Sequence, residues 1–128
     1  MNTGKLGEEI AVRFLIKRGF VVLEQNFKKL PIGEVDIIAK KSGVVHFVEV
    51  KSAERKFSHE TFSHETFSHE TWRPEERVDE TKIRKIAMVG EIYLSYTGNT
   101  DWQIDVISVL IDRENKKAKC EMTENANL

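Results

Sequence analysis

The pattern of apolar and polar positions is organised around Gly33–Lys51, GEVDIIAKKSGVVHFVEVK, which holds two β-rich runs. Val35–Lys40 and Val44–Lys51 read as two β-strands, and Lys41-Ser42-Gly43 between them is turn-like. A two-residue Ser42-Gly43 turn pairs Lys41 with Val44. Facing residue numbers then add to a constant, which sets Asp36 opposite Glu49. Because side chains alternate faces, Glu49 and Lys51 share one face and His46 takes the other. Before this hairpin, Leu6, Ile10 and Phe14, with Ala11 and Leu15, recur at helical spacing, which predicts a helix over Gly4–Arg18 stopped by Gly19. Phe20–Leu23 reads as a short first strand and Glu24–Ile32 as a polar loop. After it, Pro74 suits a first helical turn and Asp79 can cap a second start. Ile83, Ile86, Ala87, Gly90, Tyr93 and Leu94 form one helical face running to about Leu94. Tyr96–Asn99 is turn-like, Trp102–Ile111 a long strand, Asp112–Lys116 a turn, Lys117–Met122 an edge strand, and Thr123–Leu128 a frayed end. The order helix, three strands, helix, strand, with one strand more, predicts an α/β fold with a mixed sheet.

Composition narrows the class. The 128 residues make one domain with one core, and 40% hydrophobic with 32% charged residues suits a folded globular chain. No apolar run approaches a membrane span, and MNTGKLGEE does not read as a signal peptide, so the expectation is no membrane and a cytoplasmic location. Cys120 is alone, so no internal disulfide forms. The net charge of −1 lacks the basic excess of strong non-specific duplex binders, although Met1–Lys51 holds nine Lys/Arg against six Asp/Glu.

The facing Asp36 and Glu49 need a reason. Cross-strand Cβ atoms lie about 4.5–5.5 Å apart. Two charges at that range repel by roughly 3 kcal/mol at an effective dielectric near 20, and by under about 1 kcal/mol in bulk water. An exposed pair is therefore inexpensive, whereas a pair in a cleft takes up a proton or holds a hard divalent cation. Such a cation beside the Lys51 ammonium is equipment for attack on a phosphodiester. On helical spacing Glu8 lies about 20° beyond Leu15, at the edge of the apolar arc, while Glu9 points away. Periodicity alone favours a solvated carboxylate at the helix start for Glu8.

The D-x12-E-V-K spacing on adjacent strands resembles the PD-(D/E)xK nuclease superfamily. GEVDIIA and FVEVK resemble more narrowly the YraN-like family of predicted endonucleases, relatives of the archaeal Holliday-junction resolvases. The resemblance covers about Gly4–Leu110 apart from a repeat insert. It implies a restriction-endonuclease-like αβββαβ core and metal-dependent cleavage of DNA, branched or distorted DNA among the candidates. It also implies Mg²⁺ or Mn²⁺ held by Asp36, Glu49 and the Val50 carbonyl, with Lys51 orienting or helping to deprotonate the attacking water and offsetting charge that develops on the phosphate. Gly7-Glu8-x-x-Ala11 matches the family's opening G-E-x-x-A, which assigns Glu8 as the third acid, catalytic and metal-binding. Glu34 adjoins the site as a supporting group. Pro74-Glu75-Glu76-x-Val78 followed by Lys82 resembles the second-helix pattern, so Lys82 is a candidate DNA contact, as are Lys28 and Lys29. The family places a basic residue two after the lysine, where this chain has Ala53, and Arg55 is the substitute candidate. Ile104-Asp105-Val106 resembles the family's F-D-V; Asp105 is read as a structural anchor or a residue of the site rim, and His46 as a core or surface residue outside the site. Many resolvase relatives act as dimers because two strands must be cut, which leaves a homodimer open.

The stretch Ser52–Arg73 departs from the family pattern. It carries FSHET three times, at Phe57–Thr61, Phe62–Thr66 and Phe67–Thr71. A five-residue step spreads the phenylalanines around a helix and over both faces of a strand, so no single apolar stripe forms. The expectation is a single domain over residues 1–128 with a repeat-containing loop at 52–73, outside the core. His59, His64 and His69 lack the ligand spacing of structural zinc sites. Two other classes stay open: a catalytically silent nucleic-acid-binding module, and a scaffold recruiting a partner through the repeat.

Overall fold

The computed structural model describes residues 1–57, 79–99 and 101–126. Helix α1 (Thr3–Lys17) is followed by β1 (Val21–Lys29), β2 (Gly33–Lys41) and β3 (Val44–Glu54), then α2 (Glu80–Thr97), β4 (Trp102–Asp112) and β5 (Lys117–Thr123). The strands form one sheet in the order β1-β2-β3-β4-β5. Every neighbouring pair is antiparallel except β3 and β4, which are parallel. A parallel pair needs a crossover, and α2 lies on the connection between them. This is a mixed α/β fold compatible with the αβββαβ nuclease-like core.

The hairpin register is the expected one: Lys41 pairs with Val44 and the ladder continues to Ile37 with Val48. Ser42 and Gly43 both have positive φ, 51° and 80°, the type I′ turn whose twist matches that of the flanking strands. Alternation along β3 then divides the core in two. Val48 packs with Ala11 and Leu15 of α1, while Val45 and Phe47 pack with Ile86 and Val89 of α2.

Two glycines set how closely the helices approach. A Cβ on Gly7 would lie 1.8 Å from Ser52 Oγ, so α1 rests directly on β3 at this point. A Cβ on Gly90 would lie 2.7–2.9 Å from three atoms of the Phe47 ring. Gly7 and Ala11, both buried, give the opening G-E-x-x-A its physical meaning. The small residues seat the helix, and the glutamate beside them is carried toward the sheet.

Several element boundaries differ from the sequence expectation. β1 runs to Lys29, so Glu24–Lys29 is strand rather than loop, with Lys28 facing Glu34 and Lys29 facing Gly33. An edge strand buries little on either face and needs no apolar alternation, and lysines there discourage pairing with another chain. α2 extends past Leu94 to Thr97 and ends at Gly98, whose φ of 76° forms the left-handed cap. β3 continues through Glu54 beside Ile111, so Ser52–Glu54 belong to the sheet rather than to the connecting loop. At its exit the Phe57 amide donates to Asp112 Oδ2 at 2.9 Å. Apart from Phe57, the FSHET repeat lies outside the described residues, as does Pro74. Among the described residues, no helix is long and apolar enough to cross a membrane.

Candidate active site

The site lies where β2 parts from β3. Recorded pairing stops at Ile37–Val48, one step before Asp36 and Glu49. There the Val50 amide donates to Asp36 Oδ2 at 2.8 Å. The pleat of β2 also slips: Val35 and Ile38 both pack toward α2, whereas Ile37 and Ala39 pack toward α1. On the neighbouring edge strand, Asn26 has φ 53°, a left-handed conformation that asparagine tolerates better than most residues. The two irregularities lie side by side between the pairs Gln25–Ile37 and Phe27–Val35.

The resulting cleft has a volume of about 440 Å³ and is lined by Gly33, Glu34, Asp36, Glu49, Asp79, Thr81, Lys82, Lys85 and Ile86. Glu49 is only 4% exposed. Burial, and then the neighbouring Glu49 charge, raise the Asp36 carboxyl to about 6, against the Val50 hydrogen bond and the Lys82 charge. α2 begins beside this pair. Asp79 caps the helix by accepting from the Lys82 amide at 2.8 Å, and Lys82 Nζ meets Glu49 Oε1 at 2.7 Å. Burial disfavours the Lys82 charge, but the Glu49 contact and the Glu49, Asp36 and Asp79 charges outweigh it, and its pKa rises.

α1 supplies Glu8, half-buried while Glu9 is exposed. Burial, then the Asp36 and Glu34 charges, raise the Glu8 carboxyl. With its amide nitrogen turned toward the carboxylates, Asn26 donates to Glu8 Oε1 at 3.0 Å and to Glu34 Oε1 at 2.9 Å. Sequence reasoning missed Asn26 because it sits in the stretch read as a loop. Its one signal is residue type, an asparagine between strand-forming residues where a left-handed position can occur.

Other candidates stand further away. Lys51 shares the Glu49 face by alternation, about 7 Å along β3, and is not among the cleft-lining residues. Arg55 lies past the end of β3, roughly 20 Å along the strand from Glu49, in a separate hollow with Asp112 and Glu114. Lys29 Nζ lies over the Phe27 and Tyr96 rings, 5.7 and 5.1 Å from their centroids, and Lys28 is on the same edge strand. Cys120 is half-buried, and burial lifts its thiol to about 11, so it offers no thiolate nucleophile at neutral pH.

On the opposite face of β3, His46 Nδ1 pairs with Asp105 Oδ2, and both residues are buried. Gln103 Nε2 and the Asn125 amide donate to Asp105 Oδ1 at 2.7 and 3.1 Å. The Phe20 ring meets the His46 ring edge-on at 4.8 Å. His46, Asp105 and the exposed Glu124 bring ligand atoms within 4.8 Å of one another, a group that could hold a metal ion. It is distinct from Asp36 and Glu49, and both Asp105 oxygens already have protein partners.

The raised Asp36 pKa has a stability consequence. An unfolded aspartate loses its proton near 3.8 and the folded one near 6. Between these values the folded state binds more protons, so the ionised carboxylate destabilises the fold above pH 6 and the cost fades as pH falls toward 4. In EDTA at pH 7.5, Asp36→Asn, which keeps an acceptor for Val50, should unfold with a free energy higher by up to about 3 kcal/mol. At pH 4 the two proteins should nearly coincide. Urea denaturation at both values checks this, and a pH-independent difference would remove the assigned cause.

The model of the uncharacterised protein family UPF0102 matches residues 7–109. A UPF0102 protein of Dictyoglomus thermophilum is 36% identical over 125 residues, spanning 96% of this chain and 94% of that one. One from Fervidobacterium nodosum is 39% identical over 110 residues, 83% of this chain and 71% of the relative. One from Campylobacter jejuni is 38% identical over 110 residues, 85% and 84% respectively.

Proposed function

For this chain, which belongs to the uncharacterised protein family UPF0102, we propose a divalent-metal-dependent endonuclease that hydrolyses DNA phosphodiester bonds. The observation that carries the reading is the Asp36–Glu49 pair in an open cleft, already drawing a cationic group, Lys82, onto the buried Glu49. A donor set made only of oxygens suits Mg²⁺ or Mn²⁺. Asp36, Glu49 and the Val50 carbonyl would hold the ion, with Glu8 joining directly or through water. When bound, it would supply positive charge against the phosphoryl oxygens and make the attacking water more acidic.

The chain's own residues do the rest. Asn26 ties Glu8, which is not among the cleft-lining residues, to Glu34, which is, and so fixes the α1 carboxylate beside the cleft wall. The Val50 amide fixes one Asp36 oxygen. Lys51, on the Glu49 face, orients the water and as an ammonium offsets the charge developing on the phosphate, while the water's proton passes to solvent. The water oxygen bonds to phosphorus as the ester oxygen leaves, and that oxygen collects a proton from solvent. Lys28 and Lys29, on the edge strand, meet the DNA backbone. A branched substrate follows from the resolvase resemblance. A homodimer would then supply the second cut, and the single cysteine suits a reducing, cytoplasmic setting.

The test is purified protein with supercoiled, linear, single-stranded and four-way-junction DNA in Mg²⁺, Mn²⁺ or EDTA. Nicking or cleavage that needs the divalent ion is expected. DNA binding of equal strength with and without metal, and no cleavage of any substrate, would replace this reading with a silent binding module.

A further inference from the structure

Lys82 holds a position that the endonuclease reading leaves unexplained. It stands in the first turn of α2 and puts its ammonium on Glu49 Oε1, one of the oxygens assigned above to a divalent ion. The partners are unequal. The Glu49 side chain is 5% exposed and fixed in the sheet, while that of Lys82 is 47% exposed on a flexible four-carbon stem. A buried carboxylate needs a counter-charge, but the cleft sets two lysines, Lys82 and Lys85, against four acids, Glu34, Asp36, Glu49 and Asp79, which leaves the acids in excess. A doubly charged ion on the same oxygens balances them better.

We infer that Lys82 is an exchangeable counter-ion: it neutralises Glu49 until a divalent cation takes that carboxylate, and the displaced ammonium then turns into the cleft to bind a substrate phosphate. This inference rests on the divalent site proposed above. It gives Lys82 two opposing roles, as a competitor of the metal and as a partner of the anion. Lys85 provides the control. It lines the same cleft and carries the same charge one helical turn further on, yet among the described residues it forms no ion pair with Glu49.

The experiment is calorimetric titration of the full chain with MnCl₂ alone, without DNA. Lys82→Met and Lys82→Gln should each bind Mn²⁺ about tenfold more tightly than the wild type, the scale of losing a competing charge-assisted contact. Lys85→Met should change the affinity by less than about threefold, because it alters only the surrounding field. A second arm measures four-way-junction binding by anisotropy in saturating Ca²⁺. There Lys82→Met should bind DNA about tenfold more weakly, opposite in sign to its effect on the metal.

If the Lys82 variants match wild type or Lys85→Met in Mn²⁺ affinity, the exchange is overturned, whatever the DNA result. Unchanged DNA binding in Lys82→Met would remove the phosphate role. Expected metal affinities with no DNA binding or cleavage by the wild type would overturn the endonuclease reading and leave the metal exchange standing. Absence of Mn²⁺ binding in wild type and variants alike would overturn both.

Discussion

Glu49→Gln should lower metal-dependent DNA cleavage by at least about a hundredfold, the scale of removing a key electrostatic group from a site. The substitution keeps the side chain's shape and most of its packing but removes its charge. Glu49 is buried between the sheet and α2 and is one of the two acids at the parting of β2 and β3. Its loss therefore removes half of the proposed acid pair and leaves Lys82 facing a neutral amide. Folding is checked separately by thermal melting, because the removal of repulsion on Asp36 and the loss of the Lys82 contact act in opposite directions on stability. A variant that folds like wild type and cleaves at the wild-type rate would mean that the activity belongs to another site or to a contaminant. Loss of cleavage in a folded variant that also no longer gains melting temperature from Mg²⁺ would support Glu49 as a ligand, since a ligand bound only by the folded state raises stability by mass action.

Asp105→Ala should cost about 3–5 kcal/mol of unfolding free energy, the range for breaking a buried charged or hydrogen-bonded pair. Asp105 is completely buried and accepts from His46, Gln103 and the Asn125 amide. Alanine leaves these groups without their acceptor, and an unsatisfied buried polar group costs far more than an ordinary surface change. Beside Asn125, the Ala126 amide donates to the Ile104 carbonyl at 2.7 Å, so residues 124–126 should loosen together. Urea denaturation measures the loss and amide hydrogen exchange its spread. Asp105→Asn keeps an acceptor for two of the three donors and should fall between alanine and wild type. A cost below about 1 kcal/mol for alanine would show that the network contributes little to holding the fold.

What the sequence by itself determined follows from short-range rules. The Ser42-Gly43 turn and the two-residue period of the strands set the hairpin register from Lys41–Val44 to Ile37–Val48 without any tertiary contact. Asp36 and Glu49 lie one step beyond the last of these pairs, and both line the cleft. Helical spacing separated Glu8 from Glu9, and the family resemblance read from GEVDIIA and FVEVK agrees with the UPF0102 match. Tertiary structure decided what those rules do not reach. β1 is a strand through Lys29 because β2 offers it backbone partners, and an edge strand needs no apolar pattern to be held there. The left-handed Asn26, the pleat slip at Asp36 and the clamp from Glu8 to Glu34 exist only once α1, β1 and β2 have met. Lys82 looked like a surface lysine with a phosphate to find; packing of α2 against the sheet through Gly90 and Phe47 puts it on Glu49 instead. His46 and Asp105 are 59 residues apart and meet only through the β3–β4 pairing. Local periodicity tells which face a side chain takes, but which charge it finds there depends on contacts between distant segments, and those form only when the core closes.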